Sequence, residues 1–358
     1  MRSIAIILPG ISFFPIGGYK VMYEYAKRLA RLGYEITIYY PEKLAYIKRG
    51  FVRILVKFLL SHITSYWRWY DFEEMNKQIK HVQLYQLEKE KIEKHDLIFV
   101  TSVETAYEVK GLELSKPVLY FIQHFENWNL DETYVIRSYH FGFYNIVISK
   151  WLKEKLESVN AKVFLLLPNG IDTNVFKIII KPEFRDDKTV MMLYHKVKWK
   201  GSLEGIEALK ILKDEFPDLK VTLFSVFKRP ASLPKWINFV RNPKLNELVR
   251  LYNEHAIFLS PSYYEGFSLP PAEAMACGCA LVSTNSGGVI EYAQNGKNAE
   301  ILSSPPNPEE IANAIKKIIL ERERRIRLAY EGNKTIQQNF SWDRSVDMLD
   351  KFIKTLTK

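Results

Sequence analysis

The chain has 358 residues, 47% hydrophobic and 26% charged, an ordinary globular composition long enough for two cores rather than one. Its net charge of +10 favours anionic partners such as nucleotides, phosphorylated acceptors and lipid headgroups; no nucleic-acid-binding module accompanies it, so no nucleic-acid partner is expected. Only Cys277 and Cys279 are present, too close together for a disulfide framework or a Cys/His metal cluster, which suits a reducing, cytoplasmic setting.

In chain order, residues 4–8 followed by Pro9-Gly10 read as a buried strand and not as a signal peptide. No apolar run reaches the roughly 18 residues of a transmembrane helix. Val21, Met22, Tyr25, Ala26, Leu29 and Leu32 mark one helical face ending at Gly33, and residues 36–40 form the next strand. Residues 43–70 carry six basic and no acidic side chains, with Arg49, Arg53 and Lys57 as one helical stripe and Tyr66, Trp67, Trp69 and Tyr70 behind it. That pattern fits an interfacial helix on an anionic membrane surface, or equally a core helix whose cations snorkel to water.

Further strands are expected at 97–100, 118–122, 146–148 and 163–167, and after a charged, Pro182-containing linker at 177–188 the pattern restarts. Strands at 190–194, 221–224, 257–259 and 281–283 follow, with a helix over about 202–216. Asn307-Pro308-Glu309-Glu310 opens a tail helix and Ser341 caps the last one. Strands alternating with helices predict an α/β fold, two Rossmann-like doubly wound parallel sheets facing a cleft, with ligands at the C-terminal strand ends. The expected domains are residues 1–177 and 178–335, with 336–358 returning to the first.

The densest chemistry lies in Ser260-Pro261-Ser262-Tyr263-Tyr264-Glu265-Gly266-Phe267-Ser268-Leu269-Pro270-Pro271-Ala272-Glu273-Ala274-Met275-Ala276-Cys277-Gly278. A buried strand ends at Ser260, Gly266 sits in a loop, and a short helix begins near Leu269. The unpaired N–H groups of its first turn and its dipole make an anion site. Glu265 and Glu273 stand eight positions apart, and carboxylates accept hydrogen bonds from sugar hydroxyls. A single Glu here would read as a solvated side chain beside a glycine loop; the whole string is what points to a site.

This string resembles the E-x7-E signature of the retaining GT-B glycosyltransferases of family 4. The resemblance implies that Glu273 binds the donor ribose and Glu265 the transferred sugar, with Gly266 and the amides around Phe267, Ser268 and Leu269 on the diphosphate. It extends along most of the chain: Gly17-Gly18 match the family's N-terminal glycine loop, Pro168-Asn169-Gly170-Ile171-Asp172 the stretch closing its first domain, and residues 197–208 its Lys-Gly…Ala pattern. Gly17 and Gly18, at a helix start, would let a phosphate or an acceptor hydroxyl approach the backbone.

Lys200, before Gly201-Ser202 at a helix start, is placed to meet the diphosphate. Where the family usually has Arg, five residues before this Lys, the chain has His195, so Lys196 or Lys198 is the substitute for the second phosphate contact. His124, past the strand at 118–122, matches the family position that contacts the transferred sugar, with Glu126 a weaker candidate on its loop. Asn285-Ser286-Gly287-Gly288 reads either as a plain turn or as a lining of the same cleft. No Asp-x-Asp pair occurs, so no metal and no cofactor are expected; Lys200 and the helix termini would meet the leaving-group charge.

The function implied is metal-independent, retaining hexosyl transfer from a nucleotide sugar donor to a glycan or lipid-linked acceptor, in the cytoplasm or at the inner face of the membrane. The rivals are a nucleotide-sugar epimerase or a sugar phosphorylase on the same architecture, or a non-catalytic nucleotide-sugar-binding or membrane-binding module.

Overall fold

The computed structural model describes residues 2–12, 16–44, 79–127 and 130–356, and the expected basic, aromatic helix within 43–70, with Arg49, Arg53 and Lys57, lies outside these from residue 45 on. The chain forms two compact units, one of Met1–Leu167 with Val346–Lys358 and one of Pro168–Ser345.

Among the described residues the first unit carries strands β1 (Ser3–Ile7), β2 (Glu35–Pro41), β3 (Ile79–Leu84), β4 (Leu97–Val100), β5 (Val118–Ile122), β6 (Tyr144–Val147) and β7 (Leu165–Leu166). They pair in parallel in the order β3-β2-β1-β4-β5-β6-β7. Helices α1 (Gly17–Arg31), α2 (Lys89–Glu93), α3 (Val103–Gly111), α4 (Glu132–Ser138) and α5 (Lys150–Glu157) connect them. Every residue of β4 and β5 is buried. A parallel sheet covered on both faces needs such continuous apolar runs, which is why these strands were visible in the sequence. β3, Ile-Lys-His-Val-Gln-Leu at the sheet edge, lacks such a run and was not.

The second unit repeats the plan with β8 (Thr189–Leu193), α6 (Ser202–Glu215), β9 (Lys220–Ser225), β10 (Asn238–Arg241), α7 (Leu245–Glu254), β11 (Ile257–Ser260), α8 (Leu269–Ala276), β12 (Ala280–Thr284), β13 (Glu300–Leu302), α9 (Pro308–Leu320) and α10 (Arg322–Asn339). Its parallel order is β10-β9-β8-β11-β12-β13. In both sheets the strand order reverses beside the first strand, between β1 and β4 and between β8 and β11, and a doubly wound sheet binds ligands at the C-terminal end of that switch point. The Asn307 side chain caps α9, accepting from the amides of Glu309 and Glu310 at 2.9 and 3.1 Å.

The last helix, α11 (Trp342–Leu356), begins in the second unit and ends in the first. Ser341 caps it through the Arg344 amide, at 3.3 Å. Residues 336–345 stay with the second unit because Phe340 packs on Phe267 and Tyr292. From Val346 on the helix belongs to the first unit, where Asp350 accepts the Tyr34 hydroxyl at 2.7 Å. The segment 177–188, charged enough to read as a linker, lies inside the second unit, and its Arg185 is 4% exposed. The chain instead passes between the units at Leu167 and Pro168. No described helix is long and apolar enough to cross a membrane.

Candidate active site

β8 and β11 lead the loops 194–201 and 261–268 to the switch point of the second sheet. The first loop ends in a 3-10 turn, Lys198–Lys200, closed by Gly201 at φ +64°. A Cβ on Gly201 would lie 1.8 Å from the Pro261 carbonyl oxygen, so glycine is what lets the two loops touch. The Trp199 carbonyl accepts from the Tyr263 amide at 2.8 Å, and the Trp199 and Tyr264 rings stack at 5.8 Å. Lys200 Nζ therefore reaches both oxygens of Glu265, at 2.7 and 2.8 Å. Ser262 donates its hydroxyl to Glu265 Oε1 at 2.8 Å. A carboxylate offers about four lone-pair positions; Lys200 and Ser262 use three of them, which leaves room for a ligand hydroxyl.

A third loop holds the Glu265 backbone. Its amide donates to the Ser286 carbonyl at 2.7 Å and its carbonyl accepts from the Gly288 amide at 3.0 Å. A Cβ on Gly288 would sit 2.5 Å from the backbone of Gly266 and Phe267. The turn Asn285-Ser286-Gly287-Gly288 is thus brought to this site.

Ser268 stands at the start of α8 with φ +68°, a left-handed conformation unusual outside glycine, and its carbonyl accepts the Tyr292 hydroxyl at 2.8 Å. Pro270 and Pro271 fill the first turn, where a missing N–H costs nothing, so the donors at this helix start are the amides around Phe267, Ser268 and Leu269. Glu273 follows one turn later, 5% exposed, and accepts the Tyr252 hydroxyl at 3.2 Å. A small recess lined by Lys200, Ser262, Glu265 and Ser268 opens at this point. A larger apolar groove of about 660 Å³, among Val175, Ile179, Ile180, Leu245 and Val249, carries none of these groups.

His195 Nδ1 accepts from the Val197 amide at 3.0 Å, so its proton is on Nε2. Burial, and then the charge of Lys200, lower its pKa, and the ring is a neutral donor rather than a cation. Lys196 is exposed and lies over the Phe227 ring at 5.2 Å; Lys198 is exposed too.

The remaining candidates lie in the first unit, at the C-terminal edge of its sheet. Gln123 Nε2 donates to the Gly18 carbonyl at 3.2 Å, and a Cβ on Gly18 would press on that amide, whereas one on Gly17 meets nothing described within 4 Å. His124 Nδ1 donates to the Phe125 carbonyl at 3.1 Å, since a carbonyl only accepts, so that nitrogen carries a proton. Glu126 accepts the Val103 amide at 2.8 Å at the start of α3, and burial, with the charge of Glu104, raises its pKa to about 8.

Residues 175–335 match the family model of the glycosyl transferases group 1. The second unit belongs to that family. The group 1 domain includes Lys200, Glu265 and Glu273, whereas Gly17, Gly18 and His124 precede it. Relatives include a probable sucrose-phosphate synthase of Thermosipho melanesiensis, 27% identical over 52% of this chain and 46% of that protein. The capsular polysaccharide biosynthesis glycosyltransferase CapM of Staphylococcus aureus is 25% identical over 58% of this chain and 62% of its own. The chain thus spans about half the length of the curated relatives it matches.

Solved structures resemble the whole chain. A sucrose-phosphate synthase from Thermosynechococcus elongatus matches with a TM-score of 0.76 at 16% identity, covering 99% of both chains. HepE of Anabaena, solved in complex with UDP-glucose, matches with a TM-score of 0.76 at 15% identity over 99% of this chain and 100% of its own. At such identities the likeness is one of fold, and the fold is GT-B. Among the described residues no group of three or more His, Cys, Asp or Glu side chains could hold a metal ion.

Sequence reasoning passed over the supports of the two glutamates. Ser262 was within reach, three residues before Glu265 in the string already singled out. Tyr252 and Arg185 had no local signal, since only folding brings them to Glu273 and its helix.

Proposed function

We propose that the chain is a retaining glycosyltransferase that moves a sugar from a nucleotide diphosphate donor to a glycan or lipid-linked acceptor without a metal ion. The observation that carries this reading is the Lys200–Glu265 pair at the start of α8, with Glu273 one turn further along that helix. The fold likeness to HepE, solved with UDP-glucose, supports a nucleotide sugar as donor.

In this reading Glu273 accepts hydrogen bonds from the ribose and Glu265 from the transferred sugar. The diphosphate draws Lys200 Nζ toward its oxygens, and the amides from Gly266 to Leu269 and the His195 Nε2–H add neutral donors. Preorganised donors of this kind lower the barrier by meeting charge as it develops on the leaving group. His124, just past the end of β5, meets the transferred sugar. The acceptor oxygen bonds to the anomeric carbon as the carbon–diphosphate bond breaks, on the same face, and the released diphosphate takes the acceptor proton.

Incubation with a panel of nucleotide sugars and candidate acceptors in excess EDTA tests the proposal, with proton NMR reading the anomeric configuration of the product. Transfer with retained configuration supports it. Activity that disappears with EDTA and returns with Mn²⁺ or Mg²⁺ removes the metal-free assignment, and an inverted product removes the retaining one.

A further inference from the structure

We infer that Tyr252 is a positioning residue for Glu273, setting the orientation in which that carboxylate meets the hydroxyls of a donor ribose. The inference rests on the assignment of Glu273 to the ribose made above. Tyr252, on α7, is completely buried, walled by the rings of Phe176, Phe224 and Phe258 at 5.7 to 6.1 Å. Inside that wall its hydroxyl reaches Glu273 Oε2 at 3.2 Å. A buried phenol must satisfy its O–H, and this one does so on the carboxylate. Burial and the charge of Glu273 also hold the Tyr252 pKa well above its ordinary value, so the hydroxyl is always the donor. A hydrogen bond to one carboxylate oxygen fixes rotation about the last side-chain torsion, which is otherwise broad in Glu.

The backbone behind the pair is tied just as firmly. Arg185 donates to the carbonyls of Tyr252 at 3.2 Å, His255 at 2.9 Å and Cys277, and to Asn253 Oδ1 at 3.4 Å. Cys279 Sγ donates to the Tyr252 carbonyl at 3.0 Å. One guanidinium thus sits at the carbonyl ends of both α7 and α8, where the helix dipoles favour a cation. It locks the register that places the Tyr252 hydroxyl on Glu273. The arrangement predetermines the carboxylate before any ligand arrives, which lowers the ordering cost of binding.

The test is calorimetric binding of UDP, GDP and ADP, each beside its 2′,3′-dideoxyribose analogue, to the wild type and to Tyr252→Phe. The variant keeps the ring and loses only the hydroxyl. For the best-binding diphosphate we expect about a tenfold weaker Kd in the variant, and an equal Kd in both proteins for the dideoxy analogue, which offers Glu273 no ribose hydroxyl. Equal weakening of both ligands would mark a merely structural role and overturn the inference, and so would an unchanged Kd for the full ribose. If none of the three diphosphates binds the wild type, the donor-site reading itself falls and this inference with it. Should Tyr252→Phe not fold, Arg185→Lys loosens the same register, and there the ribose-selective loss is again the result that supports the inference and a uniform loss or no loss the result that refutes it.

Discussion

Glu265 is nearly buried, and the structure pairs its carboxylate with Lys200 and Ser262 while leaving a lone-pair position over. Lys200 in turn serves two anions, Glu265 in the structure and the diphosphate in the proposed complex. Lys200→Ala is therefore expected to raise the barrier to transfer by about 2.7–4 kcal/mol, as loss of a preorganised donor does. The same change should lower stability by about 1–3 kcal/mol, because it leaves a buried carboxylate with Ser262 alone; turnover and urea unfolding read the two effects separately. Glu265→Ala is expected to act mainly on kcat and Glu273→Ala mainly on donor Kd, since in the proposed complex only the first would touch the sugar at which charge develops. Steady-state kinetics showing an unaltered kcat/KM for either variant would remove that glutamate from the site.

At the scale of elements, glycines and one arginine decide whether the loops meet. Gly201→Ala combines a left-handed φ with a methyl 1.8 Å from the Pro261 carbonyl, so the loop carrying Lys200 must retreat from the one carrying Glu265. We expect a loss of several kcal/mol in stability and of transfer activity together. Gly17→Ala is the contrast: it lies in α1 with no described atom within 4 Å of the added methyl, and helix propensity favours alanine by up to about 1 kcal/mol. A stable but inactive Gly17→Ala would point to backbone contact with a ligand there, and a stable, active one would make the diglycine an ordinary helix start. Arg185→Met should cost at least about 3 kcal/mol in urea unfolding, because several buried carbonyls lose their donor at once.

The whole molecule has a predictable response to pH, set chiefly by buried histidines and one buried glutamate. Burial lowers the pKa of His81 and of His95 from 6.5 to about 4, and it raises that of Glu126 from 4.5 to about 8. The unfolded chain binds more protons at the two histidines, so their contribution is complete above about pH 6.5 and is lost as pH falls toward 4. Glu126 acts the other way: its contribution is complete below about pH 4.5 and is lost as pH rises through 8. His195 and His255 of the second unit, lowered by burial as well, add to the histidine side. Below about pH 6.5 the histidine protons therefore outweigh the one of Glu126, and thermal unfolding midpoints should peak at or slightly above about pH 6.5 and decline on both sides. Glu126→Gln should abolish the decline between about 6.5 and 8, and a decline that persists would show that another group causes it. The doubly wound class, most strands and the string from Ser260 to Gly278 were legible in the sequence alone, because covered parallel strands need unbroken apolar runs and the two glutamates stand at fixed spacing around a glycine loop and a helix start. Where the chain passes between its units, which carboxylate Lys200 holds and what supports Glu273 were decided only by tertiary structure. Arg185 looked like one charge in a polar linker until carbonyls from two helix ends surrounded it, and nothing near Tyr252 in the sequence pointed to Glu273. Burial and partner distance depend on residues far away in the chain, and no local pattern records them.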